Sequence, residues 1–281
     1  MIQPNRPIPA LFAELFDDAA LFPPGNAAMP AALSGHGDYR TAWYSDLVGL
    51  FVCPTTRLAE LDDAVRDSPF LGKGISLTVP GGIATVEDGL GMAGSYPWMT
   101  ISAVETPLPV ADLDCGLDTL SALQAPDLST FAEVAIAEVT ERACAQLLAA
   151  GVSLKLRTGG TTAAAFPSAQ ALGAAIDAAV GSGLRFKCTA GLHNAIAHHD
   201  PSTGFDHHGF LNVLLGIHDS LAGRGAASAL AVRDAATVIE GVRALSSDDV
   251  GRIRSLISSI GSCSIAEPLT DLQKADLVMA P

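Results

Sequence analysis

Lysine is scarce in this chain: four of its sixteen basic residues are lysine, and the other twelve are arginine. Thirty acidic residues outnumber them and give a formal net charge of -14. A surface of that sign repels nucleic acid and anionic lipid, and no run of basic residues offsets it. We therefore expect neither a nucleic acid nor a membrane as a partner.

Paired cysteines and targeting segments are also missing. The five cysteines are odd in number and none forms a C-x-x-C pair, so the sequence predicts neither a disulfide framework nor a zinc ribbon. No apolar stretch follows Arg6 as in a signal peptide, and no run of about 18 apolar residues predicts a membrane span. These features are typical of a cytoplasmic protein with reduced thiols.

Aromatic residues make up only 5% of the chain, whereas apolar residues of all kinds make up 49%. A length of 281 residues with this composition allows one large α/β domain whose core is mostly aliphatic. No G-x-G-x-x-G motif follows the first predicted strand, which disfavours a dinucleotide-binding fold.

Strand-like apolar segments alternate with helical ones over most of the chain. Such alternation favours parallel pairing, because each crossover needs a helix to return the chain. Six or seven such units predict a single (β/α)8 barrel domain over residues 1–281, with an open doubly wound sheet as the alternative. The predicted strands are 46–53, 74–80, 100–105, 131–138, 152–160, 184–193 and 257–265.

Both ends of the chain depart from this alternation. Residues 1–45 are expected to form an N-terminal helical extension, with helices over 8–16 and within 29–45. Asp17 and Asp18 are interpreted as helix-capping residues, with closure over the barrel as the alternative. The last third is more irregular, and its predicted helices are 209–222, 233–245 and 247–259.

Two of the four lysines, Lys155 and Lys187, lie in the middle of neighbouring strand-like segments. Side chains alternate along a strand, so Lys155 shares a face with Arg157, and Lys187 with Thr189. Helices cover the outside of a barrel, so the polar face is expected to point inward near the C-terminal ends of the strands. Crowding and desolvation would lower the lysine pKa values and make a lysine nucleophilic toward a carbonyl.

An alternative is that the two lysines pair with inward-facing carboxylates such as Glu105 and Glu133. Even then, an inward cationic cluster needs an anion, and a substrate could supply it. Glu105, Glu133 or His193 would shuttle protons in such a reaction.

The strings Lys-Leu-Arg-Thr-Gly-Gly-Thr-Thr (155–162) and Phe-Lys-Cys-Thr-Ala-Gly-Leu (186–192) resemble the core of the deoxyribose-phosphate aldolase family. That resemblance covers about 40 residues and implies a barrel in which Lys155 forms an imine and Lys187 tunes it. The chain departs from the family pattern at Arg157, and its second turn is less glycine-rich. The strings Thr-Ala-Gly-Leu-His, His-Gly-Phe-Leu-Asn and Gly-Ser-Cys-Ser are also similar to bacterial barrel proteins without an assigned activity.

Two loops are candidate anion cradles, 159–162 and 261–264, because free N–H groups at helix starts bind anions. An ordinary helix cap is the alternative for either. The last strand also brings Cys263, which nothing local marks as activated, whereas Cys188 is predicted to lie in the core. The candidate anion-binding residues are Arg157, Thr158, Gly159, Gly160, Thr189, His208, Asn212, Ser262 and Ser264.

Six of the seven histidines fall between residues 193 and 218. One interpretation is that His193 or His208 acts as acid or base beside the lysines while the loop 198–208 acts as a lid; a simple solvated loop is another. A zinc or iron site would draw on His193, His207 and His208 with a carboxylate. No H-E-x-x-H or H-x-H spacing supports that metal, so we rank it second.

The sequence therefore predicts a lyase of aldolase type or an isomerase, acting on a small anionic carbonyl compound through a lysine and arginine cluster. A metal-dependent hydrolase or lyase using the histidines is the alternative. No cofactor is expected unless that metal is present, and homo-oligomerisation stays open. The predicted catalytic residues are Lys155, Lys187, Glu105, Glu133 and His193.

Overall fold

A computed structural model describes residues 8–123, 125–201 and 203–281. Ten strands lie in these residues, of which eight are parallel and close into a barrel while two form a hairpin. In chain order the strands are β1 (Phe16–Asp18), β2 (Val48–Pro54), β3 (Ile75–Thr78), β4 (Ile101–Pro107), β5 (Ser129–Glu133), β6 (Ser153–Arg157), β7 (Phe186–Thr189), β8 (His198–Asp200), β9 (Phe205–His207) and β10 (Ile257–Ser262). The barrel order is β1-β10-β7-β6-β5-β4-β3-β2, which confirms the predicted (β/α)8 barrel.

Helices follow the barrel strands and form its outer layer. Several begin at side-chain caps: Thr140, Ser168 and Asp234 each accept a hydrogen bond from the backbone three residues on. The helices are α1 (Met29–Thr41), α2 (Leu58–Val65), α3 (Val86–Gly94), α4 (Leu113–Ala122), α5 (Glu141–Ala149), α6 (Ala169–Gly181), α7 (Phe210–Leu221), α8 (Ala227–Leu230), α9 (Ala235–Arg243), α10 (Ser247–Leu256) and α11 (Ala266–Lys274).

The barrel strands have two buried faces, because helices cover the outside and side chains fill the inside. In β6, Leu154 and Leu156 are fully buried, while Lys155 between them is nearly so. One of the few aromatic contacts joins the first strand to a late helix: the rings of Phe16 and Phe210 meet edge to face at 5.1 Å. The core is otherwise mainly aliphatic, as the composition predicts.

The N-terminal segment differs from the expectation. Residues 8–16 are not a helix; only Ala10–Phe12 form a short 3-10 turn. Phe16–Asp18 instead form β1, which lies between β10 and β2 and closes the barrel. Three residues with no polar alternation carry no local strand signal, so their pairing is a tertiary effect. β1 is therefore one of the eight barrel strands, while α1 lies within the stretch 29–45 that was predicted to contain a helix. Residues 1–7 of the predicted extension lie outside the described residues.

The histidine-rich stretch also differs, because it is a hairpin rather than an open loop. His198 pairs with His207 across the antiparallel strands β8 and β9. Gly204 has a φ of 74°, which its missing side chain allows, and its N–H donates to the carbonyl of Asp200. The ring of Phe166, which precedes α6, contacts His207 at 4.6 Å between centroids. The hairpin therefore covers the loop between β6 and α6.

One helical stretch, 163–181, has a mean hydropathy of 1.2 and passes a length and composition test for a membrane span. The structure divides it into a 3-10 turn, Ala163–Ala165, and α6. The 13 residues of α6 are fewer than the roughly 20 that cross a bilayer. Since α6 links β6 to β7 and packs on α7 and α8, it belongs to the helix layer of the barrel.

Candidate active site

Charged side chains from five strands meet inside the barrel in an order that alternates in sign. Each one lies within 4 Å of the next, so that three carboxylates and three cations balance. We call this set the ion-pair chain; its members in spatial order are Asp17, Lys187, Glu105, Lys155, Glu133 and Arg157.

The inner half of the ion-pair chain is closed to solvent. Nζ of Lys187 lies 2.7 Å from Oδ2 of Asp17 and 2.6 Å from Oε1 of Glu105, and its side chain is 1% exposed. Hydroxyl groups complete these contacts: Ser259 donates to Asp17, and Ser76 donates to Glu105. Every buried charge here has partners, which its desolvation requires.

The outer half of the ion-pair chain approaches solvent. Nζ of Lys155 lies 2.9 Å from Oε2 of Glu105 and 2.9 Å from Oε2 of Glu133. Nη1 of Arg157 lies 3.5 Å from Oε1 of Glu133. Exposure of the side chains rises along this half, from 11% for Lys155 to 19% for Glu133 and 56% for Arg157.

Strand register explains why these groups meet. Lys155 is paired with Lys187 on one side and with Glu133 on the other, so the three side chains leave neighbouring strands on the same face. Asp17 reaches the interior because Gly49 has no side chain: a Cβ there would lie 2.3 Å from Oδ1 of Asp17. That same oxygen accepts a hydrogen bond from the N–H of Leu50 at 2.8 Å.

The expected lowering of the lysine pKa values is wrong. Burial alone would lower the pKa of Lys155, but Glu105 and Glu133 outweigh it and raise the pKa above its ordinary value. Burial would likewise lower the pKa of Lys187, but Asp17 and Glu105 raise it above its ordinary value. Glu105 lies between the two ammonium groups, so neither cation faces the other without a carboxylate. The alternative, pairing with Glu105 and Glu133, is what the structure contains.

Burial acts on Glu105 as well and would by itself raise its pKa. The charges of Lys155 and Lys187, together with hydrogen bonds from Lys187 and Ser76, reverse that effect and hold the pKa below its ordinary value. Glu105 is therefore a fixed carboxylate that serves both lysines, rather than an acid that exchanges protons near neutral pH.

A cavity of about 370 Å³ adjoins the outer half of the ion-pair chain. It lies where β4, β5 and β6 end, at the barrel mouth, which is where barrels of this type build active sites. Glu133 and Arg157 line it, together with Pro107 and Ala165. A larger cavity of about 570 Å³ lies where β6 and β7 begin, and none of its lining residues belongs to the ion-pair chain. Because Glu133 and Arg157 of the ion-pair chain line the smaller cavity, it is the candidate substrate site.

The loops after β6 and β7 hold each other by backbone contact. A Cβ on Gly159 would lie 2.8 Å from Cα of Gly191, so this approach requires glycine. The hydroxyl of Thr158 donates to the carbonyls of Thr189 and Ala190. Thr158 and Gly159, predicted to bind an anion, thus hold the turn together, while Gly160 beyond them is half-buried.

Two other predicted anion-binding residues bind backbone instead. The buried amide of Asn212 accepts from the N–H of Ala197 and donates to the carbonyls of Ala229 in α8 and Val232 after it, each at 2.8 Å. Nε2 of His208 lies 2.8 Å from the carbonyl of Pro167, and burial lowers its pKa. Both side chains fix loops near the mouth, and His208 holds the segment that lines the smaller cavity.

The last predicted cradle, at residues 261–264, is a turn closed by its own serines. The hydroxyl of Ser262 donates to the carbonyl of Ser264, and that of Ser264 accepts from the N–H of Glu267. Between them, Sγ of Cys263 lies 3.7 Å from Nδ1 of His193, which in turn is 3.0 Å from Oε2 of Glu267. Sequence reasoning missed this Cys–His contact; the available signal was that both residues follow strands at one end of the barrel.

The remaining histidines have separate partners. His199 contacts Asp206, His207 contacts Asp200, and His218 contacts Asp219 and Asp249. In the part of the chain that the structure describes, no group of three or more His, Cys, Asp or Glu side chains is arranged to hold a metal ion. His193, His207 and His208 therefore do not form the alternative metal site.

Comparison with known proteins assigns no family to this chain, so its function has to be inferred from the geometry of the barrel mouth. No protein-family model matches the chain, and no curated protein sequence matches it significantly. A (β/α)8 barrel by itself hosts many unrelated activities, so function has to be argued from the side chains of the site.

Proposed function

We propose that this protein is an enzyme that acts on a small anionic carbonyl compound at the barrel mouth, as an aldolase-type lyase or an isomerase. One observation carries the proposal. A largely buried lysine, Lys155, lies between two carboxylates, and the outer carboxylate, Glu133, lines a cavity together with an exposed cation, Arg157.

Lys155 is the proposed nucleophile. Its raised pKa means that the resting group is an ammonium ion, so a proton must leave before nitrogen can attack. Glu133 is the acceptor within reach, at 2.9 Å. The amine then adds to the carbonyl carbon while the C=O π electrons move to oxygen, which takes the proton held by Glu133, and the nitrogen returns one proton to Glu133 to give a neutral carbinolamine. Glu133 then protonates the hydroxyl group, the C–O bond breaks to release water, and the nitrogen lone pair forms the C=N bond of the iminium ion.

Arg157 is the proposed anchor for the anionic end of the substrate. Its guanidinium is more than half exposed, and its contact with Glu133 is the longest in the ion-pair chain, at 3.5 Å. The planar guanidinium group can form two parallel hydrogen bonds to either a carboxylate or a phosphate. A substrate anion that replaces Glu133 at Arg157 frees that carboxylate to receive the proton of Lys155.

Lys187 and Glu105 are the proposed fixed partners of this reaction. Lys187 neutralises one oxygen of Glu105 from inside the barrel, while the other oxygen of Glu105 and the carboxylate of Glu133 keep Lys155 protonated. The five cysteines are all free thiols, which supports a cytoplasmic setting for the reaction.

Reductive trapping tests the proposal directly. The protein is incubated with pyruvate or dihydroxyacetone phosphate and borohydride, and tryptic peptides are analysed by mass spectrometry. We expect a reduced adduct on Lys155, because only an iminium ion is captured in this way. The exposed Lys274, 74% accessible, serves as the internal control for non-specific labelling.

The matched variant is Lys155→Met, whose side chain is also unbranched, is one atom shorter and has no amine. We expect no adduct in its peptide and unchanged labelling of Lys274. Labelling of Lys274 with no adduct on Lys155, for both probes, would overturn the imine.

A further inference from the structure

A second group of reactive side chains lies at the barrel mouth outside the ion-pair chain. Cys263 follows β10 and His193 follows β7, and these two strands are paired. The sulfur of Cys263 lies 3.7 Å from Nδ1 and 3.8 Å from Nε2 of His193. Nδ1 is also 3.0 Å from Oε2 of Glu267, in the first turn of α11. A thiol, an imidazole and a carboxylate thus lie in series.

We propose that Cys263 is a nucleophile toward small aldehydes, that His193 is the base that takes its proton, and that Glu267 positions His193. When Nδ1 carries the hydrogen that faces Glu267, Nε2 is left as the acceptor for the thiol proton. A nucleophile, a base and a group that orients the base are the parts that such chemistry needs. None of the three belongs to the ion-pair chain, so this proposal does not depend on Lys155.

The surroundings of the sulfur explain why it needs a base. Burial raises the pKa of Cys263, the carboxylates of Glu267 and Asp18 raise it further, and the backbone N–H groups of Gly25 and of Cys263 itself act in the opposite direction. The resting group is therefore a thiol. Its proton has to leave during attack, and the imidazole of His193 is the acceptor in contact.

The loop after β1 shapes this site. A Cβ on Gly25 would lie 3.1 Å from Cβ of Cys263 and 3.1 Å from the carbonyl oxygen of Ala20. A side chain there would force these neighbours to shift by a few tenths of an ångström, and the backbone of Gly25 contributes a hydrogen bond that lowers the pKa of the thiol.

The covalent step is an addition. The sulfur forms a bond to the aldehyde carbon as the C=O π bond breaks, and the thiol proton moves to His193. The carbonyl oxygen then receives that proton, and the product is a thiohemiacetal. Atoms and charge balance without an oxidant or a second reactant.

The other cysteines provide controls within the same molecule. Cys115 is exposed on α4, and among the described residues no hydrogen bond joins its sulfur to a histidine. Cys53, Cys144 and Cys188 are buried, and burial raises their pKa values to about 12, 11 and 12. These three become accessible only on unfolding, so their labelling reports whether a variant is folded.

The experiment measures the iodoacetamide labelling rate of each cysteine by peptide mass spectrometry at pH 7. Cys263 should react faster than Cys115 although it is less exposed. His193→Gln should slow Cys263 by about 100-fold, the lower range for general-base catalysis, and leave Cys115 unchanged. Equal rates at the two cysteines, or no effect of His193→Gln in a variant whose buried cysteines stay unlabelled, would overturn the nucleophile.

Two further measurements test the positioning residue and the ligand class. Glu267→Gln should shift the pH–rate profile of Cys263 labelling, which a merely structural role would leave fixed. Glyoxylate should slow labelling of Cys263 but not of Cys115, in the wild type and in Lys155→Met alike. Protection that vanishes in Lys155→Met, or that is equal at both cysteines, would overturn the aldehyde assignment.

Discussion

The ion-pair chain and the Cys263–His193–Glu267 group lie at the same end of the barrel but differ in how closely their polar groups approach one another. In the first, contacts between charges are 2.6 to 2.9 Å over the four buried links, and every ion has a fixed partner. In the second, the sulfur contacts are 3.7 and 3.8 Å, and Glu267 is 56% exposed. The inner links of the ion-pair chain, around Lys187 and Glu105, keep charge in place, whereas the proposed role of the second group is to move a proton.

The difference follows from desolvation. Ions inside the barrel have lost water and would be very unstable without short contacts to opposite charges. A neutral thiol and an imidazole near the surface carry no such penalty, so looser contacts suffice. Only the outer end of the ion-pair chain, at Glu133 and Arg157, resembles the cysteine group in having a longer contact and partial exposure to solvent. The smaller cavity adjoins that end.

The strongest test of this contrast is Glu105→Gln. The change leaves two buried ammonium groups with one carboxylate fewer, so the free energy of unfolding should fall by about 3–5 kcal/mol. Urea denaturation measures it. The matched control is Glu60→Gln, which removes a surface pair with Arg57 and should cost less than about 1 kcal/mol. Similar costs for the two variants would show that burial does not distinguish these ion pairs.

Gly159→Ala targets the contact between the loop that follows Arg157 at the end of β6 and the loop after β7 that leads to His193. A Cβ there meets the backbone of Gly191, which cannot rotate away, so we expect a loss of about 1–3 kcal/mol from overpacking. The control is Gly181→Ala in α6, where no atom of the described residues lies within 4 Å of the added Cβ. It should stabilise the protein by about 0.5–1 kcal/mol. A neutral Gly159→Ala would mean that the two loops are not in close contact.

Lowering the pH should remove the stability that Glu105 contributes within the ion-pair chain. The pKa of Glu105 is held below its ordinary value of 4.5, so below that pH the unfolded chain binds a proton that the folded chain does not. Stability due to Glu105 is thus present above pH 4.5 and is lost as the pH falls through the folded-state pKa. The slope for one proton is about 1.4 kcal/mol per pH unit.

Urea denaturation between pH 3 and pH 7 measures that slope, and in Glu105→Gln it should be smaller. The pH dependence of the stability due to Lys155 has the opposite sign. The pKa of Lys155 is raised above 10.5, so its contribution is present below pH 10.5 and is lost as the pH rises through the folded-state value. An acid slope that is identical in the wild type and in Glu105→Gln would refute this account.

Arg157→Gln should give the smallest change in stability, below about 1 kcal/mol, because its ion pair is exposed. Its effect should appear in function: the pyruvate concentration for half-maximal trapping at Lys155 should rise about tenfold, the equivalent of one lost charged hydrogen bond. Arg224→Gln, with a similarly exposed arginine paired to Asp219, should leave trapping unchanged. An equal response of the two variants would remove Arg157 from the site.

The inward lysines show how far sequence reasoning reaches. Alternation along 152–160 and 184–193 predicted that Lys155 and Lys187 share a face, and the register confirms that they are paired. The partner Asp17 escaped prediction because β1 is three residues long and has no pattern of its own. Cys263 and His193 escaped it because 70 residues separate them and nothing local relates them.

The order of apolar and helical segments determined the barrel, since parallel strands need helical crossovers and two buried faces. It also determined which side chains point inward, because alternation is a property of the extended backbone. Only the closed barrel decided between the two predicted charge arrangements, cations that repel each other or cations paired with Glu105 and Glu133. Closure placed Glu105 between the two lysines and raised their pKa values. Pairing between distant strands is set by closure of the whole sheet, and no local segment records it.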